Sequence, residues 1–402
     1  MSVSAARRAA YEVLLRVFEQ DAYADRAFRT AAEDLDERDR AFAQRLAYGS
    51  VQRVRTLDHA IGTLGKRPVH KLDAPVRAAL RLGAYQLGYT DTAPHAAVNE
   101  SVELVRQARI ERAVPFTNAV MRRLADGIGP LLDSLPDGAL KESYPDWIHD
   151  SFVRVLGSDG ALALMRAMNE PLETVVRLVS GAPVGEPTDI PGAYRVGRVD
   201  DLAVAEGRIW PQSRGSQLAA LCLGSQDGER VLDLCAAPGG KTGALRGDVT
   251  AVEIDPHRAS ELRANLATMG RADVTVVEAD GTALPPELAG FDRVLVDAPC
   301  SGLGVLAQRP DLRWRATPLA DLQTALLRSA AERVRPGGTI VYSVCTLNPD
   351  ECEAVVDASG LGVQPLGEEW PEFAHPSRPE FLLTLPHVHG TSGFFIARLA
   401  RD

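Results

Sequence analysis

Residues 231–242 read VLDLCAAPGGKT, and this stretch decides the fold because it joins an apolar run to a glycine-rich turn. The run 231–234 is typical of a short buried strand. Pro238, Gly239 and Gly240 predict a tight turn with a helix after it. Because glycine has no Cβ atom, the backbone of such a turn can approach a ligand closely. The stretch therefore predicts a ligand-binding turn at a strand end, with an ordinary glycine turn as the alternative.

The turn ends in Gly-Lys-Thr, as the phosphate loop of a nucleotide triphosphatase does. That loop also needs a glycine five positions before the glycine of this triplet. Cys235 occupies this position, and a Gly-x-Gly-x-x-Gly dinucleotide fingerprint is absent too. An ATPase is therefore a weak hypothesis, and the ligand need not be a phosphate.

Further apolar runs follow this stretch, namely VTAVEI, VTVVEA, DRVLVDA and GTIVYSV, with helical stretches between them. This alternation predicts a mostly parallel sheet with crossover helices, the Rossmann-like arrangement, over residues 211–402. A late pair of runs, EFLLTLP and GFFIARL, predicts an antiparallel hairpin at the sheet edge.

The N-terminal part of the chain has a different pattern, with apolar residues at three- and four-residue spacing and prolines between the apolar segments. It predicts an all-helical domain over residues 1–130. GIGPLLDSLPDG then predicts a linker, and residues 145–168 predict a helical pair broken at Gly157–Gly160. Short β-rich segments complete a small α+β subdomain over residues 145–210.

Two carboxylates follow successive strands of the C-terminal domain. Glu253 lies about 20 residues after the end of the run 231–234, where an acid in such folds binds ribose hydroxyls, and Asp280 ends the next run. Each acid alone is more often a solvated loop residue. Together with the glycine turn, they predict a pocket for an adenosine-type ligand.

Two cysteines follow the next two strands, beside another acid. VLVDAPCSGLG places Asp297 and Cys300 after the fourth strand, and IVYSVCTLNPDE places Cys345 after the fifth. Ligand crevices open at the carboxyl ends of parallel strands, so we expect both thiols to face one cleft. A lone cysteine is usually a buried apolar residue. Two in this arrangement, with Lys241 available to lower a thiol pKa, favour reactive thiols.

Composition leaves nucleic acid open as a partner. The net charge of the 402 residues is -10, yet residues 1–150 hold 21 basic and 21 acidic side chains, so the excess acid lies beyond them. A local basic surface is therefore compatible with RNA binding. No apolar run approaches the roughly 18 residues of a membrane span. Five cysteines without a CxxC pair argue against a disulfide framework or a zinc site. A cytoplasmic protein without a resident metal is expected.

The motifs DLCAAPGGKT, VEID, EADG, DAPCSGLGV…RPDLRW and YSVCTLNPDE resemble those of the bacterial Sun/Fmu (RsmB-type) 16S ribosomal RNA cytosine-C5 methyltransferases. FTNAVMRR (116–123) and APHAAVNESVELV are similar to that family's NusB-like N-terminal domain. The resemblance implies S-adenosyl-L-methionine as cofactor, bound by Cys235, Ala236, Ala237, Pro238, Gly239, Gly240 and Lys241. It further implies Glu253 at the ribose and Asp280 at the adenine end, with Asp297 beside the methionine portion or the target base. Cys345 would be the nucleophile, and Cys300 would assist product release.

The implied function is methylation of carbon 5 of an unpaired or flipped cytosine in 16S ribosomal RNA, by a protein that is expected to be a monomer. Three departures bear on RNA positioning and target details: Ser213 and Arg214 replace the family's usual acids, VVRLVSG lacks its usual asparagine, and TSGFFIARL has Ser392 where an aspartate is common. The alternatives are a transfer RNA cytosine methyltransferase with the same core and a non-catalytic RNA-binding or antitermination factor.

Candidate RNA contacts come from two parts of the chain. QRPDLRW offers Arg309, Arg313 and Trp314 at the entrance of the cleft, with Trp314 available to stack on a base. A packed loop tryptophan is the alternative. The helical domain offers Arg53, Arg55, Arg122 and Arg123 as phosphate contacts, with solvated helix faces as the alternative.

Overall fold

The structure, a computed structural model, describes residues 3–401 and divides into two units. The first unit consists of the residues up to Asp150 together with Leu306–Arg315. The second consists of Ser151–Val305 together with the residues from Ala316 onward. A ten-residue segment from the C-terminal half of the chain therefore belongs to the helical unit, which the sequence does not predict.

The first unit is built on helices whose apolar faces meet in one core. Leu46, Leu57, Leu80 and Met121 are each fully buried there. Several helices begin at the prolines that the sequence singles out, because proline fits the first turn of a helix. The helices are α1 (Ala5–Glu19), α2 (Ala24–Ala31), α3 (Glu37–Gln52), α4 (Val54–Gly65), α5 (Ala74–Tyr89), α6 (Pro94–Gln107), α7 (Val114–Ser134) and α8 (Ala139–Glu142). The next helix, α9 (Asp146–Ala167), begins in this unit, and its residues from Ser151 onward belong to the second.

The linker predicted after residue 126 is wrong in its first half. Helix α7 continues to Ser134 with Pro130 inside it. Ile128 is 2% exposed, and Leu131 and Leu132 pack against the helical core. Burial of these side chains outweighs the local preference for a turn. The break predicted in the next helical stretch is confirmed, because Gly157 in α9 has φ 68° and ψ 174°.

The second unit begins with a small antiparallel sheet of strand order β2-β3-β1-β4. Its strands lie within the predicted α+β stretch: β1 (Val175–Leu178), β2 (Glu186–Pro187), β3 (Ala193–Arg195) and β4 (Ile209–Pro211), with α10 (Asp201–Ala205) between the last two.

The larger sheet has the order β10-β12-β9-β8-β5-β6-β7, and β11 pairs with β12. Pairings among β5, β6, β7, β8 and β9 are parallel, whereas those of β12 are antiparallel. The predicted parallel sheet and edge hairpin are therefore confirmed. Its elements are α11 (Arg214–Leu223), β5 (Arg230–Asp233), β6 (Asp248–Glu253), α12 (Pro256–Thr268), β7 (Thr275–Glu278), β8 (Phe291–Asp297), α13 (Leu312–Arg315), α14 (Ala320–Arg333), β9 (Val334–Val344), α15 (Glu353–Ser359), β10 (Gly362–Gln364), β11 (Leu382–Thr384), α16 (Pro386–His389) and β12 (Phe394–Ala400). Helix α13 lies in the segment that belongs to the first unit.

One local prediction near the glycine turn is wrong. The helix expected there is a single 3₁₀ turn over Thr242–Ala244, and the chain then enters β6. Across residues 3–401, no helix combines the length and apolar character that crossing a membrane requires.

Candidate active site

Three parallel strands of the larger sheet end at the same level. In their register Asp233 of β5 lies opposite Leu295 of β8, and Asp297 of β8 lies opposite Ser343 of β9. A cavity of about 250 Å³ opens there. The predicted site residues that line it are Cys235, Ala236, Ala237, Pro238, Gly240, Lys241, Asp297 and Cys345.

The two cysteines that the sequence singles out are brought together. Cys300 Sγ lies 3.4 Å from Cys345 Sγ, and both side chains are half-buried. A hydrogen bond from the Cys300 thiol lowers the pKa of Cys345, and the nearby Lys241 ammonium lowers it further. The same hydrogen bond, together with burial, raises the pKa of Cys300. These opposite pKa shifts favour Cys345 as the thiolate of the pair.

A lysine–aspartate pair lies beside the thiols. Lys241 Nζ donates to Asp297 Oδ2 at 2.7 Å, and Ser343 Oγ donates to Asp297 Oδ1 at 2.8 Å. Lys241 Nζ also lies 4.9 Å from the centre of the Phe394 ring. Both oxygens of Asp297 are thereby engaged, and the ammonium is held at the cavity wall.

Asp233 is a buried acid that the sequence reasoning missed. It is 1% exposed, and burial raises its pKa to about 7. Thr242 Oγ1 donates to its Oδ2 at 2.7 Å, while Oδ1 has no hydrogen-bond partner within the described part of the chain. A buried carboxylate oxygen without a partner is costly unless a ligand supplies one. The available signal was the single acid inside the apolar run VLDL.

The glycine turn is held from behind by α12. Arg258 Nη2 donates to the Ala237 carbonyl at 2.9 Å, and Asn265 Nδ2 donates to the Pro238 carbonyl at 2.8 Å. Gly239 has φ 104°, and a Cβ atom there would meet Leu262 Cδ1 at 2.8 Å. Position 239 therefore requires glycine for both its conformation and its packing.

The opposite cavity wall was also missed. Trp210, Gln212 and Ser216 line the cavity. Arg177 Nε donates to Gln212 Oε1 at 3.0 Å, and its Nη2 donates to the Gly240 carbonyl at 3.4 Å. Burial lowers the pKa of Arg177 to about 10. The segment before β5 thus forms part of the site, although the sequence linked its residues 213 and 214 to RNA positioning and not to this cavity.

The two acids predicted to bind an adenosine lie at neighbouring strand ends. Glu253 is 3% exposed and accepts from the Asp255 amide at 3.0 Å. Asp280 is exposed, and hydrogen bonds from the side chain and amide of Thr282 lower its pKa. Neither carboxylate lines the cavity as the described residues bound it. Their roles toward ribose and adenine stay predictions.

In the segment Leu306–Arg315, the structure contradicts one of the predicted RNA contacts. Arg313 is 1% exposed, with its guanidinium carbon 3.9 Å from the centre of the Tyr144 ring, and burial lowers its pKa to about 10. The prediction that Arg313 contacts RNA is wrong, because its side chain lies inside the helical unit.

The tryptophan of this segment also has a partner in the helical unit. Trp314 Nε1 donates to the Val51 carbonyl at 2.7 Å, and its ring packs against the helical core. This matches the packed loop tryptophan that the sequence left open. Arg309 is partly exposed, with Nη2 3.9 Å from Asp25 Oδ1, and its role toward RNA stays a prediction.

The other arginines of the helical unit divide by exposure. Arg53 pairs with Glu142 and Arg55 with Asp146, so both are held within the unit. Arg122 and Arg123 are exposed, and Arg123 Nη1 donates to the Leu64 carbonyl at 3.0 Å. Arg122 and Arg123 stay predicted phosphate contacts.

The replacement at position 214 has an internal function. Arg214 is 4% exposed and pairs with Glu173 at 2.6 Å and with Asp189 at 2.7 Å. It therefore joins α11 to the small sheet region.

Comparisons with known proteins identify a matching family for each part of the chain. Residues 220–400 match the model of the 16S rRNA methyltransferase RsmB/F family. Residues 4–126 match the model of the NusB family. A probable ribosomal RNA small subunit methyltransferase B of Synechocystis sp. is 34% identical over 98% of this chain and 99% of that protein. A putative methyltransferase of Mycobacterium tuberculosis is 37% identical over 98% of this chain and 96% of that protein.

Solved structures agree with these matches. The crystal structure of PH0851 has a TM-score of 0.80 and 25% identity, and covers 100% of both chains. A methyltransferase homolog from Pyrococcus horikoshii has a TM-score of 0.56 and 26% identity, over 66% of this chain and 97% of that one. The predicted fold class, with a NusB-like helical domain and a methyltransferase domain, is confirmed. The chain belongs to the family of ribosomal RNA small subunit methyltransferase B.

Proposed function

We propose that this protein methylates carbon 5 of a cytosine in 16S ribosomal RNA, with S-adenosyl-L-methionine as methyl donor and a bond from Cys345 to carbon 6 of the base as intermediate. The observation that carries the proposal is the contact of two thiols, 3.4 Å apart, beside the Lys241–Asp297 pair at the cavity. Methylation at an oxygen or an exocyclic nitrogen has no need of a second thiol.

The first step uses Cys345. Carbon 5 of cytosine is a weak nucleophile, and addition of a thiolate at carbon 6 makes carbon 5 enamine-like. This covalent catalysis divides one difficult step into easier ones. A free thiol with a pKa of about 8.5 is mostly protonated at neutral pH. The Cys300 hydrogen bond and the Lys241 ammonium, which lower the pKa of Cys345, supply the stabilisation that the thiolate needs.

Addition at carbon 6 places negative charge on the ring, and N3 must receive a proton or a hydrogen bond. Asp297 is our candidate to face N3. Because Asp297 accepts from Lys241 at 2.7 Å, the ammonium is placed to supply the proton that a carboxylate lacks. Ser343, which donates to the other oxygen, fixes the orientation of the carboxylate.

The second half of the reaction uses Cys300. After methylation the carbon-5 proton leaves, and the bond from Cys345 to carbon 6 breaks to regenerate the Cys345 thiolate. Cys300 is the group beside that bond, since its sulfur contacts the sulfur of Cys345. To accept the carbon-5 proton, Cys300 first releases its own thiol proton to water. The Cys345 hydrogen bond and burial raise the pKa of Cys300, so its sulfur is the stronger base of the pair once that proton has left.

The cavity fits a cofactor that carries a cation. Asp233 Oδ1 is buried at its wall without a protein partner among residues 3–401, and an ammonium group would satisfy it. The Cys235–Lys241 turn presents backbone to the same space, where glycine at position 240 leaves room. When bound there, S-adenosyl-L-methionine supplies an electrophilic methyl group.

The choice of ribosomal RNA as substrate is supported by the relatives, which are described as ribosomal RNA small subunit methyltransferases. The base must be unpaired or flipped to reach the ends of the strands. We further propose that the protein is cytoplasmic, because ribosomal RNA is made and modified in that compartment. We also propose that it acts as a monomer.

Exchange of each cysteine for alanine tests the mechanism. Cys345→Ala should reduce methyl transfer to background while cofactor affinity stays within a few-fold of wild type. Cys300→Ala should accumulate a covalent protein–RNA adduct, visible as a retarded band on a denaturing gel. The double variant Cys300→Ala/Cys345→Ala should show no band, and Cys222→Ala, a buried cysteine of α11, is the matched control.

Bisulfite sequencing of RNA from a deletion strain tests the substrate. A cytosine of 16S RNA that loses protection in the deletion strain, and regains it with the intact gene, supports the proposal. Loss of protection in transfer RNA alone would contradict it. Full activity of Cys345→Ala would overturn the mechanism, and an adduct that needs Cys300 and not Cys345 would reverse the two roles.

A further inference from the structure

A buried carboxylate lies behind the two cysteine loops. Glu351 is fully buried. Its Oε1 accepts from the Ser301 amide at 2.9 Å, the Leu319 amide at 3.0 Å and Gln323 Nε2 at 3.0 Å. Its Oε2 accepts from the Ser301 hydroxyl and from Asn348 Nδ2 at 3.3 Å. Over the described residues none of these partners is a cation, so Glu351 is held by hydrogen bonds from loop and helix.

Two residues in contact with Glu351 directly follow the two cysteines in the chain. Ser301 directly follows Cys300, and Thr346 directly follows Cys345. Ser301 Oγ and Thr346 Oγ1 are 2.8 Å apart, and Thr346 Oγ1 lies 3.5 Å from Glu351 Oε2. One carboxylate therefore connects the residues that follow both cysteines.

Helix α14 extends the connection to the other side of Cys300. Gln323 Nε2 donates to the Pro299 carbonyl at 2.8 Å as well as to Glu351. The residues on both sides of Cys300 are thus fixed to one network, which is fully buried at Glu351 and Gln323. Hydrogen bonds in a buried network hold the loops that they join in one arrangement.

We propose that Glu351 is a positioning residue, which holds the Cys300 and Cys345 loops at the separation that lets the two thiols act on one base. The inference rests on the proposed function, because only a two-thiol reaction requires this register. Within residues 3–401 Glu351 forms no hydrogen bond with either cysteine sulfur, and it acts through Ser301 and Thr346. A displacement of about 1 Å at a reacting group costs on the order of 10²-fold in rate.

Three variants separate the geometry of Glu351 from its charge. Glu351→Gln keeps an acceptor for the amides of Ser301 and Leu319, so turnover should stay within about tenfold of wild type. Glu351→Asp withdraws the carboxylate by one methylene, and turnover should fall on the order of 10²-fold. Ser301→Ala removes the hydroxyl between Glu351 and Thr346 and should also lower kcat, with a KM for RNA close to wild type.

The matched control is Glu353→Gln. Glu353 lies two residues further on in α15 and pairs with His375 at 2.7 Å. It should lower the thermal midpoint of unfolding while kcat stays near wild type. Cofactor affinity, measured by calorimetry, should be unchanged in all four variants.

A second readout needs no RNA. The rate at which iodoacetamide alkylates Cys345 in the full-length protein, followed by mass spectrometry of the Cys345 peptide across pH, reports the thiolate. Loss of the Cys300 contact in Glu351→Asp should move this profile to higher pH, and Glu353→Gln should leave it in place. The profile therefore tests the role of Glu351 even if the protein methylates some other RNA or position.

The outcomes distinguish the two proposals. Slower turnover of Glu351→Asp together with a shifted alkylation profile supports the positioning role. Turnover of Glu351→Asp within twofold of wild type overturns it, and so does an unshifted alkylation profile. If the wild-type protein forms no adduct and methylates no cytosine, the proposed function fails, while the alkylation profile still decides whether Glu351 sets the thiol contact.

Discussion

The two halves of the stretch 297–315 lie in different units, although they form one motif in the sequence. Residues 297–304 bring Asp297 to the cavity of the second unit and Cys300 to the sulfur of Cys345, which lines that cavity. Residues 306–315 lie in the helical unit, where Arg313 and Trp314 are packed. In the proposed mechanism the first half supplies reacting side chains, whereas side chains of the second half are packed in the helical unit. Proximity in a motif does not place a residue at the site.

The first half should lose activity and keep stability when it is changed. Asp297→Asn removes the partner of the Lys241 ammonium and leaves N3 of the base without a proton relay. Methyl transfer should fall by about 10²–10⁴-fold, as measured in single-turnover assays on 16S RNA. Thermal unfolding should shift little, since Asp297 is partly exposed. A rate within threefold of wild type would remove Asp297 from the reaction.

Each unit also holds a buried acid, Asp233 in the second unit and Asp311 in the helical unit. Their substitutions differ in what they should do to pH-dependent stability and to cofactor binding. The pKa of Asp233 is raised to about 7, so between about pH 4 and pH 7 the folded protein keeps a proton that the unfolded chain releases. Stability should therefore fall as pH rises through this window, by on the order of 4 kcal/mol at Asp233. Asp233→Asn should remove this decline, as measured by urea unfolding at pH 5 and pH 8, and should also weaken cofactor binding.

Asp311 is the counterpart in the helical unit. Burial raises its pKa, and neither carboxylate oxygen has a hydrogen-bond partner within residues 3–401. Like Asp233→Asn, Asp311→Asn should reduce the loss of stability as pH rises. Unlike Asp233→Asn, it should leave cofactor affinity unchanged. Equal effects of the two variants on cofactor binding would contradict the difference drawn between the regions.

The second half should lose stability and keep cofactor binding when it is changed. Trp314→Ala removes a half-buried ring and the hydrogen bond to Val51, and should lower the free energy of unfolding by about 2–3 kcal/mol. Arg315→Ala, in the same helix, is the control. Its ion pair with the exposed Asp21 should contribute less than about 1 kcal/mol. Equal urea midpoints for the two variants would show that Trp314 does not stabilise the unit.

The smallest expected effect is on RNA affinity, through an exposed arginine of the helical unit. Arg122 is exposed on α7, and substitution by alanine should weaken RNA binding a few-fold and lower the salt slope by about 1. Filter binding at several salt concentrations measures both quantities. Arg313→Ala should leave the salt slope unchanged, because its side chain is inside the helical unit. The reverse result would restore Arg313 as an RNA contact.

The strands and their ends were predictable from the sequence because apolar runs bounded by turns have few alternative folds. Once β5, β8 and β9 are parallel neighbours, Asp297 and Cys345 must lie at one edge of the sheet. Long-range packing was not predictable in this way. The continuation of α7 through Pro130 depends on a core formed by other helices.

Asp233 and Glu351 show the other limit of sequence reasoning. Each is one acid among many in the chain, and neither has a spacing that marks its role. Asp233 is distinguished by an oxygen without a protein partner in the described structure, and Glu351 by donors from separate loops. Such properties arise only after the chain has folded.

The segment 306–315 has a consequence for synthesis on the ribosome. The helical unit includes Val51 and Tyr144, whose partners Trp314 and Arg313 are translated more than 150 residues later. The first domain to emerge is therefore incomplete until residue 315 has been translated, and a fragment that ends at residue 150 lacks a piece of its own interior. Dissection of this protein for study in isolation should supply 306–315 as a separate peptide, whose binding would restore the stability that the truncated fragment lacks.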